Sequence, residues 1–75
     1  MTLSAAFGLQ IKQRRRQLGW SQEELADRAQ LDRTFLGRVE RGEFRITLEN
    51  AWALSNACGE SLWTVLKDAE APTGT

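Results

Sequence analysis

Histidine is absent from the 75 residues, and cysteine occurs once, at Cys58. A lone cysteine cannot form an internal disulfide, and without histidine neither a Cys/His zinc site nor a histidine-based catalytic triad can be built. No apolar run approaches ~20 residues, and the N-terminus has no charged segment leading into an apolar stretch, so neither membrane spanning nor secretion is expected. A cytoplasmic protein in a reducing compartment follows as the expectation, with Cys58 a small buried hydrophobe. β-branched alternation is missing throughout, which argues against a sheet. Paired glycine-rich phosphate loops and nucleophile–base constellations are missing too, which argues against an enzyme and leaves no cofactor to expect.

Net charge is also missing, since ten basic residues balance ten acidic ones. The balance is uneven along the chain. Residues 1–45 hold nine basic residues against six acids, whereas residues 46–75 hold Lys67 against Glu49, Glu60, Asp68 and Glu70. The first part is therefore at +3 and the second at −3. For attraction to a polyanion the local field matters more than the total.

What the chain does have is helical periodicity, read as one all-α domain over residues 1–69 followed by a flexible tail over 70–75. A first helix is expected from about Ala5 to Leu18, with Phe7, Ile11 and Leu18 on one face and Gly19 as its stop. A second opens at Ser21, and Glu24 three residues later completes a capping-box pattern. Asp32 caps a third that ends before Gly42. Thr47 caps a fourth, stopped by Gly59, with Leu48, Ala51, Leu54 and either Trp52 or Cys58 turned inward. Ser61 caps a fifth that carries Leu62, Val65 and Leu66. The bulky residues expected to need burial are Phe7, Leu9, Ile11, Leu18, Trp20, Leu25, Leu31, Leu36, Val39, Ile46, Leu48, Leu54 and the three of the last helix. At ~1.5–3 kcal/mol for each fully buried side chain, that set stabilises one small bundle.

Residues 21–42 read as two short helices with a tight break between them. The second buries Leu36 or Val39 while presenting Arg33, Thr34 and Arg38 outward, a shape able to lay a helix in a DNA groove. Arginine can donate two parallel hydrogen bonds to guanine O6 and N7, and threonine offers a hydroxyl plus a methyl for thymine. Phe35 either covers a thymine methyl or packs against the second helix. Gly37, costing about 1 kcal/mol against alanine in mid-helix, fits a close approach to DNA or to that helix. Arg41 and Arg45 are candidates for the DNA backbone, Arg45 alternatively for a base edge. Lys12, Arg14 and Arg16 are weaker ones, against a plain solvated face.

Phe7-Gly8-x-x-Ile11-Lys12-x-x-Arg15, Gly19-Trp20-Ser21-Gln22-Glu23-Glu24-Leu25-Ala26, Leu31-Asp32-Arg33-Thr34-Phe35-Leu36, Glu40-Arg41-Gly42 and Thr47-Leu48 together resemble the phage-repressor or XRE-type helix-turn-helix family over about residues 4–69. The run Leu-Asp-Arg-Thr-Phe, followed by Glu-Arg-Gly and Ile-Thr-Leu, most resembles the controller proteins of restriction–modification systems. The resemblance implies a five-helix, lambda-repressor-like domain and a DNA-backbone contact for Gln22 at the start of the second helix beside its cap Ser21. It also implies a structural ion pair between Arg15 and Glu40. Arg38, large and charged where controller-like relatives carry a small residue, departs from the pattern.

The expected partner is double-stranded operator DNA, bound by a homodimer, with a tetramer on DNA left open. Asn50, Trp52, Asn56, Leu62, Trp63 and Leu66 combine aromatic, amide and aliphatic groups suited to a self-complementary contact. Trp63 is the first choice there, against a half-buried core tryptophan. An antitoxin-like protein–protein module on the same fold is the alternative, motivated by the zero net charge and the surplus tryptophans.

Overall fold

The computed structural model describes residues 1–71, which form five helices: α1 Leu3–Gln17, α2 Gln22–Ala29, α3 Arg33–Glu40, α4 Leu48–Ala57 and α5 Leu62–Glu70. No strand occurs among the described residues, nor any helix long and apolar enough to cross a membrane. Each helix opens on a hydroxyl or carboxylate that accepts from the backbone three residues on: Thr2, Ser21, Asp32, Thr47 and Ser61. Such caps satisfy donors that the first turn leaves orphaned. At Ser21 the bond is reciprocated, because Glu24 accepts from the Ser21 N–H at 3.0 Å.

The helix ends share one device. After α1, α3 and α4, a glycine at φ of +74 to +81° (Gly19, Gly42, Gly59) turns the chain out of the helix. The next residue then donates back five positions, as in Trp20 N–H to Arg15 O and Glu43 N–H to Arg38 O. The same pattern closes α2, where Leu31 donates to Ala26 O at 2.8 Å, but here Gln30 occupies the left-handed position at φ 58°.

α1 packs on α3 and α5, and α2 on α3 and α4. The core they enclose holds Phe7 and Ile11, Leu25, Ala26 and Ala29, Leu36 and Val39, then Ala51, Leu54, Cys58 and Val65. The inner face of α4 thus uses Cys58, whose thiol burial holds above its ordinary pKa, and leaves Trp52 outside. Gly8 sets the α1–α3 distance, since a Cβ there would lie 2.0 Å from the Val39 carbonyl oxygen.

Several expectations from the sequence need correction. α1 begins at Leu3, because Thr2 and not a residue near Ala5 supplies the cap. Leu9 and Leu18 are exposed, the former on the outer side of α1 and the latter already past its last turn. Leu48, 72 % exposed in the first turn of α4, stands on the rim between two apolar depressions instead of in the core. Trp20, Leu31, Ile46, Leu62 and Leu66 are only partly buried against the core. α5 runs one residue into the segment expected as tail, and residues 72–75 of that segment lie outside the described residues.

Candidate nucleic-acid interface

α3 is a helix with one buried and one open side. Leu36, Gly37, Val39 and Glu40 are buried, whereas Arg33, Thr34 and Arg38 are exposed. That split follows from 3.6-residue periodicity: Leu36 and Val39 share the inner face, and Thr34 and Arg38, four apart, share the outer one. The Asp32 carboxylate fixes the start of the helix by accepting from Phe35 N–H at 3.1 Å.

Its other end is held by an ion-pair network. Arg15 donates from Nε to Glu40 Oε2 at 2.8 Å and from Nη2 to Oε1 at 3.0 Å, and its Nη1 reaches the Trp20 carbonyl at 2.8 Å. Gln22 Nε2 donates to the same Glu40 Oε1 at 3.0 Å. One carboxylate thus connects α1, the start of α2 and the end of α3, and the bond to Glu40 holds the Arg15 guanidinium above its ordinary pKa. Bidentate guanidinium–carboxylate geometry adds orientation as well as energy. The pair implied by the resemblance is therefore present and has a third member, Gln22, on the same oxygen.

Beside this network, Gly37 leaves open a space bordered by the side chains of Arg41 and Gln22. A Cβ on Gly37 would lie 3.3 Å from Arg41 Nη1 and 3.6 Å from Gln22 Oε1. Ser21 and Gln22 therefore stand at the positive end of α2 with a guanidinium nearby, an arrangement suited to an anion. Arg41 is meanwhile paired with Glu43, Nε to Oε2 at 2.6 Å. Arg45 is exposed, and Lys12 is half-buried on α1.

Phe35 is partly buried and packs against the core, to which α2 contributes Leu25, Ala26 and Ala29. Its ring meets Phe44 edge-to-face, centroids 5.0 Å apart and planes at 81°, and Phe44 in turn lies beneath the Arg38 guanidinium at 5.2 Å. Arg14 needs correction as a candidate for the DNA backbone. It is buried, and donates to Glu60 at 2.7 Å, to Asp68 and to Gln10, tying α1 to α5. Burial alone would depress its pKa, but the bonds to Asp68 and Glu60 outweigh that and raise it. Arg16 remains on the exposed side of α1.

Residues 11–62 match the model of the helix-turn-helix family, more than half of the chain. The chain belongs to the XRE-type helix-turn-helix family. Its fold is that of the regulator of the clp genes, ClgR, from Corynebacterium glutamicum, with a TM-score of 0.86 at 28% identity over 92% of this chain and 73% of that one. The restriction–modification controller protein C.AhdI from Aeromonas hydrophila superposes at a TM-score of 0.78 with 34% identity, covering 83% of this chain and 94% of that one. A hypothetical transcription factor of Neisseria meningitidis serogroup B is 44% identical over 48 residues. That alignment takes in 64% of this chain and 45% of the relative, so the chain spans less than half the length of the curated protein it matches.

α2, the turn through Gln30 and α3 make up the helix-turn-helix of a domain that resembles DNA-binding transcription regulators. Three residues of this interface escaped sequence reasoning as partners: Glu43, Phe44 as the seat of Arg38, and Arg28, whose guanidinium lies 4.2 Å over the Trp20 ring. Arg41 and Glu43 are two apart outside a helix, a spacing that carries no pairing signal. The face expected for self-association divides unevenly. Trp52 and Trp63 are 57 % and 70 % exposed, Asn56 is exposed, and Asn50, Leu62 and Leu66 are half-buried. The Asn56 amide is already committed in part, donating to Trp52 O at 2.8 Å.

Proposed function

We propose that the protein is a sequence-specific transcription regulator that binds a pseudo-palindromic operator as a homodimer. α3 enters the major groove, where Arg33, Thr34 and Arg38 read base edges, two copies lying about 34 Å apart on successive turns. Gln22 and Ser21 at the start of α2, with Arg41, Arg45 and Lys12, contact phosphates and supply the salt-dependent part of the affinity. The observation that carries the reading is the side of α3 bearing three exposed groups able to address bases, on a helix locked at one end by Asp32 and at the other by Arg15 and Glu40.

Likeness to C.AhdI over nearly all of that chain supports a controller of the restriction–modification type. Residues 1–69 serve as a DNA-binding and dimerisation domain. Duplexes selected by the protein from a randomised pool test the reading. Arg33→Ala is expected to weaken binding to the selected duplex by about tenfold or more, in line with ~1–3 kcal/mol for a bidentate base contact, with little change on a scrambled duplex. Equal losses on both duplexes, or none, would remove Arg33 from the base-reading set.

A further inference from the structure

Arg38 differs from Arg33 in one respect: it has a seat. Its guanidinium carbon lies 5.2 Å from the Phe44 ring centroid, within the ~6 Å over which a cation is drawn to a ring face. Arg33 is exposed and makes no comparable contact among the described residues. The seat itself is anchored. Phe44 meets Phe35 edge-to-face at 5.0 Å, and Phe35 is packed against the core. The backbone just before it is fixed by Glu43 N–H to Arg38 O at 3.0 Å, and shortly after it by Ile46 N–H to Ser4 Oγ at 3.3 Å. The neighbouring carboxylate of Glu43 is engaged by Arg41 at 2.6 Å.

A free arginine side chain carries large rotamer entropy, which has to be lost when it forms a two-pronged bond with a base. Prior confinement removes part of that loss, and so raises the advantage of the right base over a wrong one. Resting on the proposed base-reading role of Arg38, we infer that Phe44 is a positioning residue for sequence recognition. Its ring, braced by Phe35, holds the Arg38 guanidinium ready for its base, although Phe44 itself touches no base. The chain has thus coupled the loop after α3 to the specificity of α3.

The test measures binding of wild type, Phe44→Leu, Phe44→Trp, Arg38→Ala and the Phe44→Leu/Arg38→Ala double variant. Each is titrated by fluorescence anisotropy with a duplex selected by the wild type, with single base-pair variants of it, and with a scrambled duplex across a salt series. Arg38→Ala identifies the base pair that Arg38 reads. Phe44→Leu, which keeps an apolar side chain against Phe35, is expected to lower discrimination at that base pair about three- to tenfold. It should leave affinity for the scrambled duplex and the salt slope unchanged, and have no further effect on discrimination in the Arg38→Ala background. Phe44→Trp, which retains the ring face, is expected to preserve discrimination.

Undiminished discrimination in Phe44→Leu overturns the inference. So does a uniform loss on all duplexes, or an equal loss of discrimination in the Arg38→Ala background, either of which would mark a general structural role. If Arg38→Ala leaves every base pair as well discriminated as before, the base-reading role of Arg38 fails and the inference falls with it. If the wild type binds no duplex, the DNA-binding reading itself fails.

Discussion

Gln30 holds a backbone conformation that the chain elsewhere gives to glycine. Among the described residues it is the one non-glycine at positive φ, and it occupies the position that Gly19, Gly42 and Gly59 take after α1, α3 and α4. A side chain in the left-handed region costs roughly 1–2 kcal/mol from contact between Cβ and the carbonyl. Glycine would relieve that cost, offset by the extra freedom it brings to the unfolded chain. Gln30→Gly is therefore expected to stabilise the domain by about 0.5–1 kcal/mol, which for a chain of this size raises Tm by several degrees. A thermal melt followed by circular dichroism measures it, and an unchanged or lower Tm would show that the Gln30 side chain compensates for its backbone. Because Gln30 lies in the turn between α2 and α3, the substitution also tests whether that turn carries strain for the sake of helix orientation.

At the scale of elements, the capping box of α2 makes stability depend on pH in a definite direction. Glu24 accepts from the Ser21 N–H, and that bond, with a smaller contribution from the Arg28 charge, holds its carboxyl below the ordinary glutamate pKa. A carboxyl with a depressed folded-state value contributes stability that is fully present above the unfolded value of about 4.3 and is lost as pH falls through the folded one. Glu24→Ala should melt below the wild type at pH 7, and the gap should close between about pH 5 and pH 3. A gap that persists at pH 3 would assign the effect to helix propensity instead.

The same element shows why so much was legible in the sequence. A cap is a bond across three residues, so Ser21, Asp32, Thr47 and Ser61 announce their helices locally, and the glycines announce three of the four internal ends. Periodicity identifies a stripe but not which end of it projects past the neighbouring helices, and Leu18 and Leu48 lie at such ends. Within Arg14-Arg15-Arg16, nothing local separates the two inward arginines from the outward one. Their partners Glu40, Glu60 and Asp68 are 25, 46 and 54 residues away. The exposed side of α3 was readable because it is the complement of a buried stripe. The Phe35–Phe44–Arg38 stack was not, because it depends on how the loop after Gly42 folds back.

On the scale of the whole molecule, the two halves of the charge distribution fall on different helices. The basic half contains α1 to α3, with the helix-turn-helix, whereas the acidic half contains α4 and α5. Part of that acidity is spent inside the molecule, with Glu60 and Asp68 bonded to Arg14. Among what α4 and α5 leave to solvent are three large apolar side chains, Leu48, Trp52 and Trp63, all more than half exposed. A depression of about 150 Å³ lined by Leu3, Phe7, Ile46, Leu48, Ala51 and Leu66 opens between α1, α4 and α5. A second one borders Leu48, Trp52 and Leu62. Trp52 borders the second depression, Trp63 follows Leu62 on α5, and exposed apolar surface of this kind can be met by an identical surface across a two-fold axis.

If that is the homodimer interface, Trp63 is its anchor, and truncating an anchor of this kind typically costs 2 kcal/mol or more, about thirtyfold or more in dimer dissociation. Trp63→Ala should then sediment as a monomer at concentrations where the wild type is a dimer. Its helical signal should be retained, because the exposed indole contributes little to the core of one chain. Binding to an operator should also lose its steep dependence on protein concentration, since two half-sites would no longer be filled by a preformed pair. A Trp63→Ala protein that sediments and binds as the wild type does would exclude this face, and the two tryptophans would then have to serve a contact with some other protein.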